Sequence, residues 1–282
     1  MTRSSPRDDS DTLGRILDWT RERLKVLKAE SPRSKLRESP LYARTPSDFR
    51  NAFGGVGPRV IAEIKFASPS EGRIHPREPS TKEALAAAAE YLSAGAAALS
   101  ILTEPRFFQG SPDFLRVVRE AQPKAFLLMK DFVVDVYQLE LARSIGADAV
   151  LLIVAALDKR LEPLLRSAEA LGLSALVEVH TEAELALARK AAAKLIGVNS
   201  RDLRTLKTDL AVAKRLAAVP PALYTAKGRY TTADAPFLIA ESGIKTRADI
   251  DALAACGYRG FLVGTHLMKT GTPGKALKEL LA

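Results

Sequence analysis

Val60-Ile-Ala-Glu63-Ile-Lys65 sets a carboxylate and an ammonium two residues apart, and so on one face of an extended segment that is otherwise apolar. The same kind of ending recurs along the chain. Leu127-Leu-Met-Lys130 closes on a lysine, Ala175-Leu-Val-Glu178-Val-His180 on a glutamate, Ile196-Gly-Val-Asn199-Ser-Arg201 on an amide and a guanidinium, and Leu238-Ile-Ala-Glu241 on a third glutamate. A buried ion pair is a weak device for stability. Two lysines and three glutamates at the ends of apolar runs therefore point to acid–base work, with an ammonium to protonate a developing alkoxide and carboxylates to move protons. Two runs also end in small residues, Ser242-Gly243 and Gly264-Thr265, where backbone N–H groups can approach an oxyanion closely. A phosphorylated small-molecule substrate is expected. His75, His180 and His266 show no partner in the sequence, and none is assigned to chemistry.

These residues need elements to bring them together. From Arg59 onward the chain repeats a short β-branched run, a loop rich in turn formers, and an Ala/Leu/Glu/Lys-rich amphipathic stretch, which predicts alternating strands and helices around a parallel sheet. The strands are expected at 60–65, 98–102, 125–130, 149–153, 175–179, 195–198, 237–240 and 260–263. Helices are expected near 80–94, 112–121, 136–145, 159–171, 182–193, 209–217, 246–256 and 273–281. Eight such units in residues 59–282 fit a (β/α)8 TIM barrel, in which active sites form at the C-terminal ends of the strands. The alternative, an open doubly wound sheet, lacks its signature: Gly54, Gly55 and Gly57 precede the first strand instead of following it, and Gly271-Thr-Pro-Gly-Lys275 has the wrong spacing for a P-loop.

Residues 1–58 read as an N-terminal extension, with a helix over 11–29 and an irregular arm broken by Pro32, Pro40 and Pro46. Trp19 either packs that helix onto the barrel or lines the mouth of the site. The stretch 219–236 is rich in turn formers and long for a barrel loop. The net charge of +9 is concentrated at the start, with 12 Lys/Arg against 8 Asp/Glu in residues 1–50. Because these charges are interleaved and no aromatic stacking platform accompanies them, a nucleic-acid partner is not expected. Apolar runs are too short to span a membrane, no secretory signal is legible, and the single Cys256 allows no intrachain disulfide or zinc cluster. A reducing cytoplasm is the expected compartment.

Ile61-Ala-Glu-Ile-Lys-Phe-Ala-Ser-Pro-Ser70, Ser100-Ile-Leu-Thr-Glu-Pro-Arg-Phe-Phe-Gln-Gly-Ser111, Met129-Lys-Asp-Phe132, Ala147-Asp-Ala-Val-Leu-Leu-Ile153, Val177-Glu-Val-His180, Gly197-Val-Asn-Ser-Arg-Asp-Leu203 and Glu241-Ser-Gly-Ile244 resemble, in order, the indole-3-glycerol-phosphate synthase family in its monofunctional form. The resemblance implies a carboxy-lyase of tryptophan biosynthesis. It would close 1-(2-carboxyphenylamino)-1-deoxyribulose 5-phosphate to indole-3-glycerol phosphate with loss of CO₂ and water, using no metal or organic cofactor. By that likeness Lys130 is the acid for ring closure, and Glu63, Lys65 and Glu178 are the remaining catalytic candidates, their steps unassigned. Ser68, Asn199, Arg201 and Glu241 hold substrate polar groups, with Arg201 either pairing with the carboxylate or packing on the ring. Phe108, Phe132 and Leu151 wrap the ring or simply pack the barrel, and Ser242, Gly243, Gly264 and Thr265 bind phosphate. Phe66 and the 219–236 stretch depart from the family pattern. Association with other enzymes of the pathway stays open. So do two other readings of the residues, a Schiff-base aldolase using Lys65 or Lys130 and a non-catalytic anion-binding barrel.

Overall fold

The computed structural model describes residues 11–219 and 235–282. Eight strands, β1 (Val60–Ile64), β2 (Ala98–Leu102), β3 (Leu127–Lys130), β4 (Ala149–Ile153), β5 (Ser174–Val179), β6 (Leu195–Asn199), β7 (Phe237–Glu241) and β8 (Gly260–Val263), close into a barrel. Neighbours follow sequence order, every pair is parallel, and β8 returns to β1. Burial on both faces explains why these segments are near-continuous Val/Ile/Leu/Ala runs without polar alternation. The (β/α)8 architecture expected from the sequence is the one found.

Two helices, α1 (Thr12–Glu30) and α2 (Arg33–Arg37), precede the barrel. The outer ring is α3 (Thr81–Ser93), α4 (Pro112–Ala121), α5 (Val136–Ser144), α6 (Leu161–Ala170), α7 (Glu182–Lys190), α8 (Ala211–Ala218), α9 (Arg247–Ala255) and α10 (Pro273–Leu281). Short polar caps start many of them. Ser80, Ser111, Asp135, Thr181 and Thr246 each accept a first-turn N–H, and Thr246 with Asp249 forms a reciprocal capping box. These caps fix where each loop hands over to its helix, and so fix the loops that rim the barrel's C-terminal end.

The arm read as irregular is ordered: α2 packs along α5, and two 3₁₀ turns, Pro40–Ala43 and Phe49–Phe53, follow it to the N-terminal end of the barrel. Its proline breaks stop long helices but permit these short ones. Phe49 packs edge-on against Phe53 and Phe126, and Phe53 against Phe237. Arg33, Arg37 and Tyr42 all donate to the buried carboxylate of Glu140 on α5. The hydrogen bond from Arg37 leads, burial opposes, and Tyr42 and Arg33 add to it, holding that carboxyl down to about 2. The arginines of this arm are thus engaged away from the strand ends that carry the candidate chemistry. Of the long stretch 219–236, residues 220–234 lie outside the described residues.

Asp148, at the start of β4, is fully buried and uses both oxygens. It accepts from Arg44 at 2.7 Å, Arg119 at 2.5 Å and the amides of Ser47 and Leu127 at 2.8 and 2.9 Å. One carboxylate therefore ties the arm, α4 and the start of β3. Breaking a buried pair from one side strands the other charge, at about 3–5 kcal/mol. Asp148→Ala is expected to lower the unfolding free energy by about that much in urea titrations; a loss below about 1 kcal/mol contradicts this anchoring role.

Candidate active site

The inward-facing charges meet at one end of the barrel. Lys130 Nζ, at the end of β3, donates to Glu178 Oε2 at 3.3 Å and lies 3.6 Å from Glu241 Oε2. Lys65 Nζ, just beyond β1, pairs with Glu63 Oε1 at 2.6 Å. Asn199 Nδ2 donates to Glu178 Oε1 at 3.0 Å, so both oxygens of Glu178 have partners. Strand register accounts for the convergence: Glu178 pairs with Gly197 across β5–β6, and Asn199 with Glu241 across β6–β7. All three glutamates are buried.

Enclosure sets their protonation. Burial works against the ammonium of Lys130, but Glu178, Glu241 and Glu63 outweigh it and raise its pKa, so it stays charged. Burial likewise opposes ionisation of Glu63, and attraction from Lys65 and Lys130 overcomes it, leaving that carboxyl below its ordinary value. Glu241 goes the other way. Burial is the largest cause, Lys130 opposes it, and repulsion from Glu178 and Glu63 helps to push the carboxyl up to about 8. Glu241 is thus the carboxyl pushed up beside the charged Lys130, while Glu63 is held down.

Two glycines, Gly197 within β6 and Gly264 just after β8, make this packing possible. A Cβ on Gly197 would lie 1.9 Å from Glu241 Oε1, and one on Gly264 2.3 Å from Glu63 Oε1. Gly264, expected from the sequence to let an anion approach its backbone, also leaves room for the Glu63 carboxylate. Around the charges lies a cavity of about 740 Å³ whose lining includes Ser68, Phe108, Phe132, Leu151, Asn199, Arg201, Ser242, Gly243, Gly264 and Thr265 as well as Glu63, Lys65, Lys130, Glu178 and Glu241. Every site residue singled out from the sequence therefore borders one space. Phe108 and Phe132 face each other there, their ring centroids 5.8 Å apart. On the far side Ser242 and Gly243 both take positive φ, +66° and +85°, turning the backbone after β7. Gly264 precedes the short helix Thr265–Met268. Arg201 Nη1 donates to Ser70 Oγ at 2.8 Å.

The structure adds residues that the sequence reading missed. Thr12, Leu13 and Ile16 of α1 reach the lining, as do Leu206, Thr208, Lys245 and Lys269. Lys269 pairs with Glu71 at 2.6 Å across the rim. Gly197, a glycine inside a strand, carried a legible signal for close approach; the rim residues lie on loops with no pattern of their own. Two of the histidines, none of which is assigned to chemistry, have partners that the sequence does not show. His75 is buried, packs edge-on against Phe66 and accepts from the amide of Arg77. His180 Nδ1 donates to the carbonyl of Asn199 at 2.6 Å and so steadies a site residue, while His266 borders the cavity. Phe66 is buried against Phe114, and Trp19 lies outside the cavity lining, under the guanidinium of Arg106.

Comparison with known proteins places this geometry in context. The family model described as indole-3-glycerol phosphate synthase matches residues 13–280. The chain is 41% identical over 280 residues to an indole-3-glycerol phosphate synthase of Carboxydothermus hydrogenoformans, covering 96% of this chain and 99% of that one. It is 46% identical over 235 residues to the one of Aquifex aeolicus, covering 83% and 85%. Among solved structures, a 3-hexulose-6-phosphate synthase superposes with a TM-score of 0.58 at 17% identity, covering 79% of this chain and 97% of that one. At that identity the likeness is one of fold.

The raised pKa of Glu241 has a direct reading. An acid with a pKa near 8 is protonated below that pH and ionises as pH rises through it. Infrared difference spectra of wild type against Glu241→Gln are expected to show a protonated-carboxyl band at pH 6 that fades as pH rises through about 8. Absence of that band at pH 6 contradicts the assigned protonation.

Proposed function

The chain belongs to the indole-3-glycerol phosphate synthase family, a family of lyases, and from that premise we propose that it closes the indole ring of 1-(2-carboxyphenylamino)-1-deoxyribulose 5-phosphate. The products are indole-3-glycerol phosphate, CO₂ and water, which makes it a carboxy-lyase of tryptophan biosynthesis acting, we infer, in the cytoplasm. The described residues contain no helix long and apolar enough to cross a membrane. The observation that carries the proposal is the charged ammonium of Lys130, held between carboxylates beside an aromatic pair and a small-residue backbone turn.

The chemistry follows from the substrate. Its aryl group lies against Phe108, Phe132 and Leu151, and its phosphate accepts from backbone N–H groups at Ser242-Gly243 and Gly264-Thr265, with Lys245 and Lys269 supplying positive charge at the rim. Arg201 and Ser68 hold the remaining polar groups. The ring carbon that bears the carboxylate attacks the sugar carbonyl, and Lys130 donates its proton to the alkoxide as the C–C bond forms. The C–CO₂ bond then breaks and its electron pair restores the aromatic ring. Dehydration expels the new hydroxyl as water, with an acid protonating it, while a base takes the proton from the adjacent carbon to leave the indole double bond. Glu178, hydrogen-bonded to Lys130 and Asn199, sits where a proton can pass to or from the lysine. Lys65, paired with Glu63, is the second ammonium within the cavity and completes the acid–base set. Protonated Glu241 accepts or donates at a substrate hydroxyl without itself adding charge.

Incubating the purified protein with the carboxyphenylamino substrate is expected to yield indole fluorescence and CO₂ in equal amounts. No turnover, or a borohydride-trapped adduct on a lysine, overturns the proposal and favours the anion-binding or aldolase reading respectively. Lys130→Met, with its charge removed, is expected to retain less than about a tenth of wild-type kcat, a barrier increase of more than about 1.4 kcal/mol. Glu178→Gln keeps shape and loses proton transfer, so a fall in kcat of about 10²- to 10⁴-fold is expected. Glu241→Gln imitates the neutral acid already present, so its kcat is expected to fall about 10-fold or less. Equal losses in the two glutamine variants contradict the division of roles.

A further inference from the structure

The two phenylalanines that pack against each other in the cavity lining stand on different loops, and both loops are tied to the same face of α1. Arg23 of α1, largely buried, lies 3.6 Å from Asp131 Oδ2. Asp131 directly follows Lys130, is itself buried, accepts the amide of Phe132 through Oδ1 at 2.8 Å, and accepts Thr103 Oγ1 through Oδ2 at 2.7 Å. Thr103 adjoins Glu104, a fully buried carboxylate. Glu104 accepts the amides of Arg106, Phe107 and Phe108 at 2.9, 2.6 and 3.0 Å, which fixes the loop that presents Phe108. From that loop the guanidinium of Arg106 stacks over Trp19, 4.6 Å from the ring centre. Trp19 and Arg23 are four residues apart on α1 and therefore neighbours on one helical face. The contacts form a closed circuit from α1 through the β3 loop and the β2 loop back to α1.

We propose that α1 sets the placement of the Phe108–Phe132 pair through this circuit, making Arg23 and Asp131 positioning residues that determine how well the site accepts an aryl substrate. This rests on the proposed ring-closing function. The physical case lies in the accounting of Asp131. Its carboxylate is buried at the root of the loop that bears Phe132, and Arg23 is the cation that balances it. Removing Arg23 leaves a buried carboxylate without its partner, so the amide of Phe132 and the hydroxyl of Thr103 lose a fixed acceptor and the two loops move independently. The phosphate-side turn at Ser242-Gly243 belongs to no part of the circuit. Loss of the clamp is therefore expected to weaken recognition of the aryl half of the substrate and to spare the phosphate half.

The test compares wild type, Arg23→Met, Arg23→Lys, Asp131→Asn and the double variant Arg23→Met/Asp131→Asn. For Arg23→Met, KM for the carboxyphenylamino substrate is expected to rise about 10-fold, kcat to change less than about 3-fold, and the inhibition constant of inorganic phosphate to stay within about 2-fold of wild type. Arg23→Lys is expected to restore most of the loss, and the double variant to be no worse than the more impaired single one. A general loosening of the fold moves phosphate inhibition as much as KM, and that outcome overturns the proposal, as do an unchanged KM and strictly additive losses. Amide hydrogen exchange of the unliganded protein gives a readout independent of turnover. Exchange at Phe132 is expected to speed up by about 10-fold or more in Arg23→Met, while the backbone around Ser242 is unchanged. If wild type fails to turn over, the ring-closing function is refuted by that result alone, and unchanged exchange at Phe132 separately refutes the clamp.

Discussion

A lysine ammonium sealed inside a protein barrel is stable only if carboxylates offset the hydration it gives up. Lys130 meets that condition with Glu178 and Glu241 within 4 Å and Glu63 nearby. Much else in the site follows from that requirement. Carboxyls buried this close repel one another, and Glu241 is the one that burial and its neighbours Glu178 and Glu63 push up against the pull of Lys130. Glycine is required at 197 and 264 because the carboxylates of Glu241 and Glu63 occupy the space a side chain would fill. The amide of Asn199 is required because Glu178 has an oxygen left over after meeting Lys130.

Charge and anchoring are separated along the barrel axis. On the outer face of α5 and at the N-terminal end of β4, Glu140 and Asp148 hold the arm with arginines, and their ion pairs bind segments to one another. At the C-terminal ends the charged groups border a cavity instead, and α1 contributes Thr12, Leu13 and Ile16 to its lining. One extension thus closes both ends of the barrel, the arm with aromatic rings and ionic anchors at one end and the first helix at the other.

The strands were legible because parallel burial writes itself as continuous apolar runs, and the site because a glutamate or lysine ending such a run has no packing reason to be there. Lys130, Glu178, Asn199 and Glu241 each announce themselves in this way. The arm was less legible: its prolines suggested irregular chain, yet Pro32 and Pro40 start short helical turns, a role proline's fixed φ suits. The protonation of Glu241 and the bond from His180 to Asn199 depend on neighbours on other strands, which no local pattern encodes. The circuit through Arg23, Asp131, Glu104 and Arg106 was hidden for the same reason, since its members lie on three separate segments.

The claim at the centre is that one cavity presents the Lys130 ammonium to the substrate carbonyl while the backbone after β7 and β8 holds the phosphate. A crystal structure with a substrate analogue whose carbonyl is reduced to a hydroxyl tests it most directly. The expected result is that hydroxyl within hydrogen-bond reach of Lys130 Nζ, about 3 Å, the aryl group beside Phe108 and Phe132, and the phosphate on the amides around Gly243 and Thr265. An analogue bound with its phosphate on another part of the rim, or with its hydroxyl more than about 4 Å from Lys130, contradicts it.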